Sequence, residues 1–183
     1  MIPRRSLRDL PQGWYPFSAR PIMPELEARV LADLGDTWTL RLPERLTAGA
    51  SADPFALRLW PERLEDPAVW KDPRIVLVAG GADPFDGALD PAYLRQIFKL
   101  MVASQEHVFV LLTNRIDKAA LFVHLSRTRG LPPILPPNIA IGTPVGTSSP
   151  ELARVELLRH LPARSRFALE SEPAEPQDSL FSA

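Results

Sequence analysis

The chain has 183 residues, with 21 Lys plus Arg against 22 Asp plus Glu, three His and no Cys. Without cysteine there is no disulfide, no thiolate-held zinc, no cysteine nucleophile and no cysteine-ligated iron–sulfur cluster. A formal charge of −1 supplies no global field for nucleic acid or anionic membrane, although a local patch is compatible with it.

The first residues, MIPRRSLRDLPQG, are basic but carry no apolar stretch behind them, so they do not read as a secretory signal. Residues 1–24 are expected to form an irregular arm anchored by Trp14, Tyr15 and Phe17. A helix fits Glu25 to Leu34, with Leu26, Val30 and Leu34 on one side and Gly35 as its stop. TWTLRL then alternates Trp38, Leu40 and Leu42 with polar residues, the period of a half-buried strand, and FALRLW repeats it with Phe55, Leu57 and Leu59. Between them Thr47 to Asp53 is small and polar and reads as a loop.

From residue 74 the period changes. RIVLVAGG is a continuous apolar run ending in two glycines, and Asp90-Pro91 supplies an N-cap and an N1 proline. Leu94, Ile97, Phe98 and Met101 follow at helical spacing. HVFVLLT is a second apolar strand, Asp117 to Arg129 a second helix closed by Gly130, and NIAIGT a third strand. Ser148 or Ser149 caps a helix bearing Leu152, Val155, Leu158 and Leu161, and SRFALES ends the series. Most of the 21 prolines fall between these segments, where a fixed φ suits turns and first helical turns.

Unalternating apolar strands separated by helices are the mark of a parallel sheet covered on both faces. A closed eight-unit barrel needs about 250 residues. The expected fold is therefore α/β, a partial (β/α) barrel or an open curved parallel sheet with outer helices. Its strands are expected near 74–79, 107–112, 138–142 and 166–170. Domain organisation is expected as the arm at 1–24, one α/β domain at 25–172 and a flexible acidic tail at 173–183. The longest apolar runs, such as Val108 to Leu112, are too short to span a bilayer. A cytoplasmic location and no membrane partner are expected.

Three stretches, WPERLEDPAVWKDPRIVLVAGGADPF, SQEHVFVLLTNRIDK and PPNIAIGT with SRFALESEP, carry a further signal. Their elements are Pro61 to Leu64, Trp70 to Arg74, Asp83, His107 to Arg115 and Glu172-Pro173. In order and spacing they resemble a phage-associated family described as radical-SAM-like, with a three-cysteine motif near its N-terminus. The likeness covers roughly residues 60 to 175. It implies polar residues just past successive strands at Asp83, Thr113, Arg115 and Glu172. In that family the cysteines follow a Trp-x-Pro segment, but here Trp14-Tyr15-Pro16-Phe17-Ser18-Ala19-Arg20 contains none. Radical SAM chemistry needs three thiolates on a [4Fe–4S] cluster. The resemblance therefore implies a copy that has lost the family's reaction and needs no cofactor or metal.

Independently, ligands of parallel α/β folds gather at the strands' C-terminal ends. Those ends supply Gly80, Gly81, Asp83 and Asp86, then Thr113, Asn114 and Arg115, then Thr143, then Glu170 and Glu172. Such a rim suits an anion or a hydrated divalent ion, and the Gly80-Gly81 pair resembles the glycine-rich SAM contacts of radical SAM enzymes. Turn and cap roles explain the same residue types without a ligand, and no G-x-G-x-x-G or Walker pattern is present. If the rim only holds the scaffold, Asp83 and Arg115 are expected to bond backbone or one another.

His107, His124 and His160 are not spaced as a helix-borne metal pair, and structural roles are expected for all three. The four tryptophans read as core and lid residues, and Arg154, Arg159, Arg164 and Arg166 as a solvated face, although a phosphate-facing patch would use the same residues. The expected function is a catalytically inactive radical-SAM-like scaffold that binds another protein in a phage or mobile-element setting. The alternative is a small-molecule binder, or an enzyme of another class, using the rim for a nucleotide, SAM or metal-bound phosphate. Nucleic acid is not indicated by the net charge.

Overall fold

A computed structural model describes residues 4–6, 10–40, 55–146 and 148–170. Its strands are β1 (Arg4–Ser6), β2 (Gly13–Trp14), β3 (Phe17–Ser18), β4 (Arg58–Leu59), β5 (Ile75–Val78), β6 (Val108–Leu112), β7 (Leu135–Val145) and β8 (Ala163–Glu170). Its helices are α1 (Glu27–Leu40), α2 (Asp66–Val69), α3 (Pro91–Ala103), α4 (Ile116–Ser126) and α5 (Ser149–His160). Six strands form one open sheet in the order β1-β8-β7-β6-β5-β2, and each neighbouring pair is parallel. β3 and β4 make a separate antiparallel pair.

The parallel pairing expected of the apolar runs is present, with Ile75 opposite Val108 and Phe109 opposite Ile139. Alternate residues face opposite sides of a strand, and here each side is covered. Val76, Val78, Phe109, Leu111, Ile139 and Ile141 pack with Leu94, Ile97, Phe98 and Met101 of α3 and with Ile116, Ala119 and Val123 of α4. On the other face Leu77, Val110, Leu112, Phe167 and Leu169 pack with Leu10, Met23 and Leu26 from the N-terminal segment. The helices thus form the outer layer, and the chain's own first residues fill the inner one.

The six-stranded sheet is open, with β1 and β2 as its edge strands, and does not close into a barrel, consistent with the expected partial barrel or open curved sheet.

Helix boundaries follow local chemistry. Asp90 accepts a hydrogen bond from the Ala92 amide at 2.7 Å and Pro91 opens α3, as expected. The Glu151 carboxylate accepts from the Ser148 amide at 3.1 Å, closing a capping box on α5. Gly130, at φ 94°, ends the turn that follows α4.

Several expectations are corrected. Residues 13–14 and 17–18 of the arm are strands rather than irregular chain. α1 runs through Gly35 to Leu40, so Trp38 and Leu40 are helical and not in a strand. One glycine costs a helix only about 1 kcal/mol, and Val30, Leu34 and Trp38 continue the helical spacing. FALRLW yields only the two-residue β4, with Leu57 and Leu59 exposed while Phe55 and Trp60 are buried. In α5 Leu158 is buried but Leu152 is 57% exposed, so the expected apolar spacing covers only part of the helix. The loop expected at Thr47–Asp53, residue Leu42 and the tail at 173–183 lie outside the described residues.

His107 is fully buried where β6 begins. Its Nδ1 accepts from the Arg74 amide at 3.2 Å, and its Nε2 faces the Pro67 carbonyl oxygen at 3.0 Å. A neutral ring with its proton on Nε2 satisfies both contacts, the structural role expected for it. His124 and His160 are exposed.

Candidate functional site

The C-terminal ends of β5, β6 and β7 meet the segment that follows β2. β5 turns out of the sheet through Ala79, Gly80 and Gly81, at φ 51°, 61° and 87°. Glycine suits the last two positions twice over. A Cβ at Gly80 would stand 2.6 Å from Val30 Cγ2 and 2.8 Å from the Tyr15 hydroxyl, and one at Gly81 would stand 2.7 Å from Leu26 Cδ1. The Ile22 amide donates to the Gly81 carbonyl at 3.0 Å, and Pro21 bridges to Ala82. Side chains of the N-terminal segment and of α1 therefore cover the surface of the glycine turn.

The covering segment is itself firmly anchored. Trp14 donates its indole N–H to the Arg63 carbonyl at 3.0 Å, and Trp60 donates to Ser18 Oγ at 3.1 Å. Tyr15 donates to Asp33 Oδ2 at 2.9 Å. Burial, reinforced by the Asp33 carboxylate, pushes the Tyr15 phenol well above its ordinary range. The Arg29 guanidinium donates to the Leu10 carbonyl at 3.0 Å and to the Pro11 carbonyl.

Asp83 ties the β5 exit to the β6 exit. It is 8% exposed and accepts from the Phe85 amide at 2.9 Å and the Asn114 amide at 2.8 Å. The Thr113 hydroxyl is also bonded to it. Burial holds its carboxyl above the usual range, against these donors, which favour the ionised form. Thr113 is fully buried, with its Oγ1 accepting from the Arg115 amide at 2.8 Å and its own amide donating to the Gly142 carbonyl at 2.9 Å. Asp83 is thus bonded to backbone, as the scaffold role requires.

Arg115 is not. It is the N-cap residue of α4, its side chain is exposed, and its guanidinium makes no hydrogen bond or ion pair among the described residues. The expectation that these residues bond backbone or one another holds for Asp83 and fails for Arg115, since three other donors already occupy the Asp83 carboxylate. Asp83 and Arg115 do share one open cleft of about 410 Å³, lined also by Arg20, Ile22, Asp86, Asn114 and Arg154. Thr113 is fully buried and does not line it, and Glu172 lies outside the described residues.

Of the cleft's other groups, Arg20 pairs with Glu27 at 2.6 Å and stacks 4.6 Å from the Phe55 ring centre. Arg154 lies 3.7 Å from Glu151 and donates to the Pro144 carbonyl at 3.5 Å, while its Nε is buried with no hydrogen-bond partner among the described residues. Asp86 accepts from the Ala88 amide at 2.8 Å. The Thr143 hydroxyl is likewise buried with no partner among the described residues. Arg20 was not foreseen as a rim residue, because only the bridge between Pro21 and Ala82 brings it there. Arg154, one of four arginines expected on a solvated face or a phosphate-facing patch, is half-buried and lines the cleft. Among the described residues no three His, Asp or Glu side chains converge as a metal site, and no helix is long and apolar enough to cross a membrane.

The chain belongs to a family described as a protein of unknown function (DUF5131), whose profile matches residues 35–176. No curated protein and no solved structure matches it.

Proposed function

We propose that this chain is a catalytically inactive, radical-SAM-like scaffold that works in the cytoplasm by binding another protein, in a phage or mobile-element setting. The observation that carries the reading is the filled mouth of the sheet. Leu26, Val30 and Tyr15 stand on Gly80 and Gly81, and Leu10 and Met23 cover the inner face below. A cluster and its SAM do not fit this donor set. The segment after Trp14 offers a phenol, a hydroxyl and a guanidinium, and the 183 residues contain no thiol. Leu121, Leu125, Leu152 and Leu157 are exposed on α4 and α5, apolar surface that a protein partner would bury.

Anaerobic reconstitution with iron and sulfide tests the loss of chemistry. The expected product has no charge-transfer absorption and does not cleave SAM reductively. A stoichiometric cluster that cleaves SAM would refute the reading.

A second reading, a small-molecule site on the rim, has its own support. Arg115 presents to an open cleft, beside the satisfied Asp83–Thr113 pair, a guanidinium with no partner among the described residues. A thermal-shift panel of SAM, nucleotides and phosphate with Mg²⁺ separates the two. A ligand at 100 times its dissociation constant adds about 2.7 kcal/mol, whereas a protein-only scaffold is unmoved.

A further inference from the structure

We infer that the open edge of β5 at Ile75 docks an extended segment of a partner protein, added to the sheet as a further strand and carrying an acidic residue next to an apolar one. The inference rests on the protein-binding reading above and gives it a surface and a partner chemistry.

The edge is open because β2 covers only part of β5. Their pairing sets Gly13 opposite Leu77 and Trp14 opposite Val78, and the Leu77 amide donates to the Gln12 carbonyl at 2.8 Å. Successive residues of a strand turn their backbone groups to opposite edges. The Arg74 carbonyl accepts from the Val108 amide of β6 at 2.7 Å, so Ile75 presents its amide and carbonyl to the same edge as Leu77, away from β6. One more step of the ladder would bring the Leu10 carbonyl to the Ile75 amide and the Gln12 amide to the Ile75 carbonyl. Neither bond is made. Arg29 holds the Leu10 and Pro11 carbonyls instead, and Leu10 is buried against the inner face. Both backbone groups of Ile75 are left without a hydrogen-bond partner among the described residues.

A cleft of about 510 Å³ lies along this edge, with Gln12, Arg63, Asp66, Trp70, Arg74 and Ile75 in its lining. An uncovered strand edge is a template for another strand, which binds through its main chain, and the surrounding side chains select its sequence. Val76 packs in the outer core and Leu77 in the inner one, so Ile75, which is 59% exposed, lies on the inner side. An apolar residue opposite it would cover it. Arg74 is on the outer side, its guanidinium 5.0 Å from the Trp70 ring centre and without an ion pair among the described residues. Arg63 is already held by Asp66 at 3.3 Å. One guanidinium is therefore left for a carboxylate. Because side chains alternate along a strand, that carboxylate belongs to the residue next to the apolar one.

The test measures binding of a dye-labelled, end-blocked peptide of alternating valine and glutamate to the full chain by fluorescence anisotropy. A peptide with lysine in place of glutamate and a single-stranded oligonucleotide are run beside it. The glutamate peptide is expected to bind, and the lysine peptide about tenfold more weakly or worse. N-methylation of one alternate set of the peptide's amides should abolish binding and of the other set should not, since only one set faces β5. Arg74→Glu should weaken the glutamate peptide by about tenfold or more and turn the preference toward lysine. Circular dichroism checks that this variant is folded, and the methylated peptides test the edge on the parent chain without it. No binding of the glutamate peptide, equal binding of its two methylated forms, or preference for the oligonucleotide would overturn the edge assignment alone. The scaffold reading falls separately, on reductive cleavage of SAM by the reconstituted chain.

Discussion

Asp83 and Arg115 lie on one rim, yet they answer to different physics. Asp83 receives two backbone amides and a hydroxyl. Asp83→Ala would orphan those donors in a buried place, at a cost of roughly 2 kcal/mol or more in urea unfolding. Arg115→Ala removes nothing that the fold uses, so its unfolding free energy should stay within about 0.5 kcal/mol of the parent. Had Arg115 been a buried partner of Asp83, the loss would be about 3–5 kcal/mol. Asp83 also gives a pH signature. Because burial raises its carboxyl in the folded state, the folded chain keeps this proton to higher pH than the unfolded chain does. Its contribution to stability therefore falls as pH rises from the unfolded value, about 3.9, through the raised folded value, and is level above that. The stability of the parent chain minus that of Asp83→Asn, followed from pH 3 upward, should decrease over this window. An increase would contradict the assignment. The site was legible in part for the same reason. Asp83, Thr113 and Arg115 stand where parallel strands end, which sequence alone marks, whereas Arg20 reaches the cleft only through a tertiary bridge.

Among the elements, the turn after β5 shows how packing and backbone act together. Gly80 needs both a left-handed backbone and an absent Cβ, because Val30 and Tyr15 stand against it. Gly87 also has positive φ, 99°, but nothing lies within 4 Å of where its Cβ would be. Gly80→Ala should therefore cost about 2 kcal/mol or more, combining backbone strain with displaced side chains, and Gly87→Ala only about 1 kcal/mol. Equal losses in thermal denaturation would mean that Val30 and Tyr15 do not press on the turn. The same contrast between local and tertiary causes decides which elements the sequence announces. β5, β6 and β7 are covered on both faces and show as unbroken apolar runs. β1 and β2 are three and two residues long, too short for any period, and exist because a neighbouring strand edge is open to them. The end of α1 was misplaced because Gly35 is a weak stop when apolar spacing continues beyond it.

At the scale of the whole molecule, the N-terminal segment takes the place of an inner layer. Leu10, Met23 and Leu26 cover Leu77, Val110, Leu112, Phe167 and Leu169, and β2 extends the sheet beside β5. A chain that lacks residues 1–24 would expose that apolar face and should be insoluble or bind a hydrophobic dye strongly. A soluble, cooperatively melting truncation would mean that the inner face is closed by something else. The central proposal is that the chain itself fills the mouth of the sheet at Gly80 and Gly81 in place of a reactive cofactor. Native-state hydrogen exchange of the Ile22 amide, bonded to the Gly81 carbonyl, tests it most directly. If the plug is part of the fold, this amide should exchange only by global unfolding, as slowly as the amides of β6. Exchange orders of magnitude faster than β6, through a local opening that bares Gly80 and Gly81, would contradict the account.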